Sequence, residues 1–526
     1  MSKSNKLGTF GGVFTPAILT ILGVIMYMRL PWIVGQAGLW QTIGIILVAH
    51  VISISTGLSV SSIATDKKVQ TGGTYFMIAR SLGLPIGGTL GLALFVGLSF
   101  SVSLYLIGFS ESFLSFLGMD VTKDLIRITG SIALIVVTAV TIISTQFAIK
   151  IQYIIMGAIV LSLVSIFMGD HSYTPAVTLM HPISTAAPFI LLFGIFFPAV
   201  TGFEAGVSMS GDLENPKRAI PYGTIIAIGL GLIVYIGFAI FLSSSVSADQ
   251  LVNNPNILLE ISFFPPLVLA GIWGATISSA LGSILGAPRI LQATAMDKIT
   301  PKFFAKGHGK ENEPRNAMLL TFLLAEAGIM IGELDAIARI VSMFFITTYG
   351  FLNMSAAIEV WASPDFRPEF KVPKVVSIIG SVTAFIVMIQ LDFIAMIGAS
   401  VILILLFLYL QRKELSLESG DTWEGVWSSV VRTGLRRLLQ SNKHARNWRP
   451  NIVLFSGGTT LRPHLIDFGR WIVDKRGILS DFILHENPNQ EGQFKKVEQI
   501  IPHEEDEMRG VFHRQVECLD VYEGMH

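Results

Sequence analysis

Two apolar stretches of this sequence are interrupted by glycine and proline, and they contain the residues best suited to chemistry. Residues 11–24 read GGVFTPAILTILGV, and residues 194–206 read GIFFPAVTGFEAG. A break in an apolar helix frees carbonyl and N–H groups that must find other partners. Freed carbonyls can bind a cation, and the N–H groups that begin a half-helix can bind an anion. Together the two stretches predict a binding site for a salt.

The sequence contains no recognisable catalytic motif. Neither HExxH nor GxSxG occurs, and His50 stands alone in an apolar segment, where a structural histidine is the simplest interpretation. His171 and His181 lack the further ligands that a metal needs. The balance of 37 basic and 37 acidic residues argues against nucleic-acid binding, and the single Cys518 excludes a disulfide framework. We expect neither an enzyme nor a cofactor.

The composition is that of an integral membrane protein. Hydrophobic residues make up 52% of the 526 residues and charged residues 14%, with a mean hydropathy of +0.63. A soluble domain has about 25% charged residues. A membrane helix needs about 20 apolar residues, and about twelve such segments are present. The predicted spans of this all-α polytopic protein are residues 11–35, 40–63, 86–116, 128–145, 151–168, 188–207, 221–243, 265–287, 316–332, 338–361, 375–391 and 394–411.

The distribution of charge predicts orientation and domains. Lys and Arg are concentrated in alternate links between the spans, beginning with the N-terminus, so both termini are predicted to be cytoplasmic. Residues 1–412 are predicted to form the transmembrane transport domain. Charged residues become dense from Lys413, so residues 413–526 are predicted to form a small cytoplasmic α/β domain, short for independent folding. Within it, 451–455 is predicted to be a buried strand and 463–475 an amphipathic helix.

The two broken segments lie about 180 residues apart and form the first and sixth predicted spans. Each would open a half of five spans, which is the sequence sign of a 5+5 inverted repeat. In such proteins the discontinuous helices meet near the middle of the bilayer and bind the solute there. Glycine and proline also occur in membrane helices because they permit close packing, which is the simpler alternative.

Several motifs resemble one known family, the cation-chloride cotransporters. Residues 22–38, LGVIMYMRLPWIVGQAG, closely resemble the family's first span. Residues 72–78 (GGTYFMI), 196–202 (FFPAVTG) with 210–213 (SGDL), and 447–450 (NWRP) resemble later parts of it, in the same order. The chain is therefore identified as a member of this family, near its sodium-potassium-chloride branch and within the amino acid-polyamine-organocation superfamily.

The resemblance implies an electroneutral symporter that moves chloride with potassium, with or without sodium, by alternating access. For potassium it implies the carbonyls of Thr20, Ile21 and Pro198 and the hydroxyls of Tyr105 and Thr201, a shell of oxygens that replaces the ion's hydration. Thr20 stands where the family usually has asparagine. Because the implied ligand is the backbone carbonyl, this change need not abolish the site.

For chloride the resemblance implies two sites. The implied groups are the N–H groups of Gly23, Val24 and Ile25 in the upper site, and those of Gly202, Phe203 and Glu204 with the Tyr349 hydroxyl in the lower site. The family usually has an apolar residue at position 204, and a carboxylate there would repel chloride. Glu204 could point away and pair, be protonated by burial, or replace one chloride as a fixed anion. We favour the last two interpretations, which put a two-chloride stoichiometry in doubt and leave proton coupling open.

Sodium coupling is implied by two adjacent serines. Ser278 and Ser279 resemble the paired serines of the sodium-coupled branch, and the carbonyls of Leu19, Leu22 and Ala275 could complete a small oxygen cage. Serine also allows helices to pack closely, which is the alternative.

An external gate is implied by Arg29 and Glu111. Both resemble the positions that form an ion pair across the external vestibule in this family. The alternative is a static anchor at the membrane interface, because arginine snorkels readily.

Two other functions compete with cation-chloride symport. An amino-acid or amine transporter of the same superfamily is favoured by residues 202–204 (GFE), because a carboxylate could pair with an ammonium group. A non-transporting membrane sensor would bind ions without turnover. For the symporter we expect inorganic ions and the lipid bilayer as partners, no nucleic acid, a location in the plasma membrane and, by resemblance, a homodimer.

Overall fold

The structure is a computed structural model of the chain. It describes residues 8–66, 72–143, 145–169, 180–183, 186–208, 213–308, 312–363, 366–391, 393–411, 423–440, 450–457, 462–473, 477–486, 511–518 and 520–525. The chain divides into two compact units, Met1–Val431 and Arg432–His526. His171, the segment 210–212 and the segment 447–449, all used in the sequence analysis, lie outside the described residues.

The first predicted span is discontinuous. A π-helical turn, Phe10–Phe14, leads into α1 (Thr15–Ile21), and α2 (Val24–Met28) follows after a break. The next helical run, α3 (Leu30–Asp66), bends at Gly38, whose φ is +67°. A Cβ at Gly38 would lie 2.5 Å from the carbonyl carbon of His181, so this kink requires glycine. The bend explains why the second predicted span begins at residue 40.

The sixth predicted span is also discontinuous. Between α3 and this span lie α4 (Thr74–Leu82), α5 (Leu84–Phe116), α6 (Lys123–Ile143) and α7 (Thr145–Phe167). The span itself consists of α8 (Phe189–Phe196), a 3-10 turn at Phe197–Val200, a break, and α9 (Glu204–Ser208).

The remaining helices of the first unit are mostly long and apolar. In chain order they are α10 (Pro216–Ser245), α11 (Ala248–Asn253), α12 (Ile257–Glu260), α13 (Pro265–Met296), a 3-10 turn at Lys302–Ala305, α14 (Arg315–Ile331), α15 (Leu334–Ala362), α16 (Lys374–Leu391) and α17 (Phe393–Gln411), and α18 (Trp423–Gln440) follows. Each of the twelve predicted spans overlaps helix among the described residues. Within the described residues, eight helical segments are long and apolar enough to cross a membrane, and Ile151–Phe167 and Phe189–Val200 are shorter apolar helices.

Long helices enclose the two broken spans. α10 packs along α3, α13 packs along α5 and α7, and α15 packs along α16 and α5. α1 lies against α10 and α13, and the 3-10 turn of the sixth span lies against α15. Four large aromatic side chains near the breaks, Phe196, Phe203, Tyr235 and Tyr349, are fully buried. The breaks therefore lie inside the protein rather than at its lipid-facing surface.

The second unit contains a three-stranded parallel sheet in the order β1 (Asn451–Leu454), β2 (Ile478–Glu486) and β3 (Val511–Cys518). α19 (Pro463–Val473) connects β1 to β2, and α20 (Val521–Gly524) follows β3. The predicted strand and amphipathic helix are thus present. The expectation of a buried strand is wrong for β1, because it is an edge strand and the Val453 side chain is 59% exposed.

Candidate ion-binding site

The break in the first span leaves backbone groups without helical partners. Leu22 leaves the helical conformation (φ −82°, ψ 43°), and Gly23 is extended (φ −89°, ψ −155°). The last carbonyls of α1 and the first N–H groups of α2 therefore point into the same small region without the bonds of a continuous helix. A side chain at Gly23 would not fit easily, because a Cβ there would lie 2.7 Å from the Thr20 carbonyl oxygen.

The break in the sixth span has a different conformation. Thr201 is extended after the 3-10 turn, and Gly202 has a φ of +89°. The backbone N–H and the hydroxyl of Thr201 both donate to the Pro198 carbonyl, at 3.2 and 2.8 Å. α9 then begins at Glu204, so the N–H groups of its first turn lie at the break.

The two breaks lie against each other. A Cβ at Gly202 would be 2.8 Å from the Cβ of Thr20, so this glycine allows the close approach. The Tyr235 hydroxyl of α10 donates to the Ile21 carbonyl at 2.5 Å and lies 3.4 Å from the Ala199 carbonyl oxygen. The carbonyls that end α1 and those of the 3-10 turn are therefore brought to one place.

All five predicted potassium ligands are buried in this region. Tyr105 is 4% exposed and Thr201 is 1% exposed. The Thr20 hydroxyl donates to the Pro16 and Ala17 carbonyls at 3.2 and 2.8 Å. This side chain is directed to its own helix, and the carbonyl of Thr20 remains the predicted potassium ligand.

The predicted sodium ligands come from α1 and α13. The Ser279 hydroxyl donates to the Leu19 carbonyl at 3.2 Å, and a Cβ at Gly23 would be 3.3 Å from its oxygen. The Ser278 hydroxyl instead donates to the Ala275 carbonyl of its own helix, at 3.2 Å. Ser279 is thus the serine that bridges the two helices, and Leu22 lies at the break itself.

The two predicted chloride sites differ in one side chain. The upper groups, the N–H groups of residues 23–25, lie at the start of α2, which carries no acidic or basic side chain. In the lower site, Glu204 is 1% exposed and its carboxylate faces the Tyr349 hydroxyl and the N–H groups of Gly202 and Glu204. None of these donors reaches the carboxylate with the geometry of a full hydrogen bond, and the Tyr349 hydroxyl has no such bond among the described residues. The carboxylate therefore lies beside the groups that were predicted to bind a second chloride.

Arg29 and Glu111 form an ion pair, as the resemblance implies. Two guanidinium nitrogens of Arg29, at the end of α2, donate to the two carboxylate oxygens of Glu111 in α5, at 3.1 and 3.2 Å. Asp335 of α15 adds a contact that the sequence analysis missed, since its Oδ1 accepts from Arg29 Nε at 2.5 Å. Nearby, Lys123 pairs with Glu333 and holds the pKa of that carboxyl below its usual value. Three helices are thus joined at this end of α2.

Comparison with known proteins identifies the family. The family model described as amino acid permease matches residues 12–450. The chain belongs to the amino acid permease family. Three similar proteins are solute carrier family 12 member 1 of Mus musculus (32% identical, 90% of this chain and 49% of the relative), member 2 of Mus musculus (33%, 92% and 45%) and member 2 of Squalus acanthias (31%, 92% and 46%).

The relatives support the resemblance stated from the sequence. Membership of the cation-chloride cotransporter family, within the amino acid-polyamine-organocation superfamily, is confirmed. The relatives are solute carriers, which are transporters rather than enzymes, in agreement with the expectation that this permease is not an enzyme. The chain spans about half the length of these curated relatives, as the 45–49% coverage shows.

Proposed function

We propose that this permease is a secondary active symporter of chloride with potassium and sodium, working by alternating access, in which Glu204 replaces one chloride as a fixed anion. The observation that carries the proposal is the place of the Glu204 carboxylate, beside the Tyr349 hydroxyl and the N–H groups that begin α9. The Ser279–Leu19 contact and the paired carbonyls at the breaks support the cation sites.

Repulsion explains why the carboxylate and a second chloride exclude each other. Two like unit charges 4 Å apart repel by about 4 kcal/mol at an effective dielectric constant of 20. This corresponds to roughly a thousandfold loss of chloride occupancy. Among the described residues, Glu204 takes part in no ion pair that could neutralise it. We therefore infer that its negative charge balances a bound cation, in place of chloride.

The decisive experiment measures rubidium uptake into liposomes that contain the purified full-length protein. Sodium and chloride are each replaced in turn, and the chloride dependence is compared for wild type and Glu204→Leu. We expect uptake to need both ions, with a chloride Hill coefficient near ~1 in wild type and approaching ~2 in the variant, because removing the carboxylate reopens the lower site.

Glu326→Gln is the matched control, because Glu326 is a carboxylate in an apolar helix, α14, where it accepts a hydrogen bond from Ser131 at 2.6 Å. It should leave the chloride dependence unchanged. A wild-type Hill coefficient near ~2, unaltered by Glu204→Leu, would show that two chlorides bind despite the carboxylate.

A second candidate function is transport of an organic amine. It is favoured by the amino acid permease match and by Glu204, since a buried carboxylate is a suitable partner for an ammonium group. Uptake of a radiolabelled amine that needs Glu204 but not chloride would establish this function. Rubidium uptake that needs chloride would exclude it.

The wider architecture is part of the same proposal. We infer twelve membrane helices with a 5+5 inverted repeat, a transport domain of residues 1–412 and a cytoplasmic domain of residues 413–526. Both termini would be cytoplasmic, Arg29 and Glu111 would form an external gate, and the protein would act as a homodimer in the plasma membrane. Cysteine labelling from each side of the membrane would test the orientation, and crosslinking would test the dimer.

A further inference from the structure

Tyr235 is a polar side chain in the middle of α10 that the proposed ion sites do not include. It is fully buried, and its hydroxyl donates to the Ile21 carbonyl at 2.5 Å. The ring is held edge-on by Phe196 and His50, with ring centroids 5.2 and 6.2 Å away. The hydroxyl is thus fixed in position by packing on two sides.

The hydroxyl contacts both broken spans. Ile21 is the last residue of α1, and Ala199, whose carbonyl oxygen is 3.4 Å from the hydroxyl, belongs to the 3-10 turn of the sixth span. A carbonyl oxygen has two lone pairs, so Ile21 can accept from Tyr235 and still offer a lone pair to a cation. A hydrogen bond of this kind orients the carbonyl without occupying the ion's place.

We propose that Tyr235 is a positioning residue of the cation site, which fixes the direction of the Ile21 carbonyl and its spacing from the 3-10 turn. The proposal rests on the proposed function, because Ile21 is a cation ligand only in that function. Tyr235 would set the affinity for potassium and its analogue rubidium. It would leave the chloride groups, the N–H groups of residues 23–25, unaffected.

Removal of the hydroxyl should act on one ion only. Without its donor, the Ile21 carbonyl loses a partner in a region shielded from water and can turn away from the ion. For Tyr235→Phe we expect the KM for rubidium to rise about 3- to 10-fold, as loss of one buried hydrogen bond implies. The KM for chloride and kcat should stay within about twofold.

The matched control is Tyr27→Phe. Tyr27 is also buried, and its hydroxyl lies 2.5 Å from the Ser162 hydroxyl rather than from a carbonyl at a break. The same chemical change should therefore leave the rubidium KM unaltered. Tyr235→Met, which also removes the hydroxyl but has a flexible apolar side chain, replaces the phenylalanine variant if that variant does not accumulate in the membrane.

Three outcomes overturn the proposal: an unchanged rubidium KM, a parallel rise in the rubidium and chloride KM values, or a fall in kcat alone. If wild type does not move rubidium at all, the proposed function fails, and heat stability measured against potassium concentration tests Tyr235 separately. The positioning role is supported if the potassium concentration that gives half of the stabilisation rises about 3- to 10-fold in Tyr235→Phe. An equal concentration in both proteins, or no effect of potassium on wild type, overturns it.

Discussion

The two breaks in the core of this permease resemble each other in place but differ in charge. Both turn a buried helix into two short pieces and expose carbonyls on one side and N–H groups on the other. The first break has no ionisable side chain at its N–H groups, whereas the second has Glu204. In the proposed function, an anion therefore enters the first break from solution, while the Glu204 carboxylate takes the place of an anion at the second.

In the proposed function, this difference determines the net charge that a transport cycle moves. If sodium, potassium and one chloride cross while Glu204 stays with the protein, about one positive charge moves per cycle, and about 2.3 kcal/mol is available from each 100 mV of membrane potential. With two chlorides the same cycle would be electroneutral. In the proposed function, the Glu204 carboxylate thus makes cation uptake depend on the membrane potential.

The largest effect is expected from the backbone of the second break. Gly202 has a φ of +89°, and a Cβ there would lie 2.8 Å from the Cβ of Thr20. Gly202→Ala should therefore separate the two breaks and reduce rubidium uptake by about 100-fold, because sites of this kind tolerate little misplacement. Gly23 has a negative φ, so an alanine there needs only a shift of the Thr20 carbonyl. Gly23→Ala should therefore reduce rubidium uptake by about 10-fold.

Gly237→Ala is the control for both glycine variants, because Gly237 lies inside α10 with no atom within 4 Å of a built Cβ. It should leave uptake unchanged and improve stability slightly. Uptake is measured per folded transporter after size-exclusion chromatography. Equal losses at Gly23 and Gly202 would contradict the idea that the second break depends on the left-handed backbone.

The sequence was sufficient to locate the breaks but not to describe them. Glycine and proline in apolar segments mark Leu22–Gly23 and 198–202, because these residue types interrupt helices. The φ of Gly202 and the 3-10 turn before it depend on packing against Thr20, which no local pattern encodes. Tyr235 gives no signal either, since the middle of α10, residues 225–242, is apolar on every face and periodicity cannot distinguish its buried side.

The dependence on tertiary packing also explains the other features that the sequence analysis missed. Asp335 lies in the first turn of a membrane helix, where an acidic residue is ordinary, and only the fold brings it to Arg29. β2 and β3 are parallel neighbours, and their pairing joins segments about 30 residues apart, beyond the reach of local patterns. The resemblance supplied the predicted ion ligands, and of the two residues that depart from it, Thr20 and Glu204, the second carried the most information.

A smaller effect is expected on the charge moved, because Glu204→Leu should keep transport while changing its electrical character. Proteoliposomes on a solid-supported membrane should give a positive inward current for wild type when potassium and chloride are added with sodium present. In Glu204→Leu the second chloride cancels the charge, so the current should fall at least about fivefold at similar rubidium uptake. Currents of equal size per rubidium ion in both proteins would remove the distinction between the breaks.

Of the two breaks, only the first should contribute to sodium binding, together with α13. Ser279→Ala removes the hydroxyl that contacts the Leu19 carbonyl, so we expect the KM for sodium to rise about 3- to 10-fold. Thr276→Ala is the control in the same helix, because the Thr276 hydroxyl donates only to carbonyls of α13, Ile272 and Trp273. A similar rise in both variants would indicate a general loosening of α13 rather than a sodium ligand.

The smallest effects are expected at the far end of α2, where Arg29 contacts two carboxylates of different exposure. Glu111 is 15% exposed in its side chain and Asp335 is 44% exposed, so solvent screens the second pair more strongly. If this ion-pair cluster closes one side of the permease, weakening it favours the open state and lowers the KM for ions presented from that side. In cells that express the protein, Asp335→Asn should lower the KM for external rubidium by no more than about twofold, and Glu111→Gln by about three- to fivefold. A raised KM, or an equal response to both substitutions, would indicate that the cluster anchors α2 rather than gating the path to the two breaks.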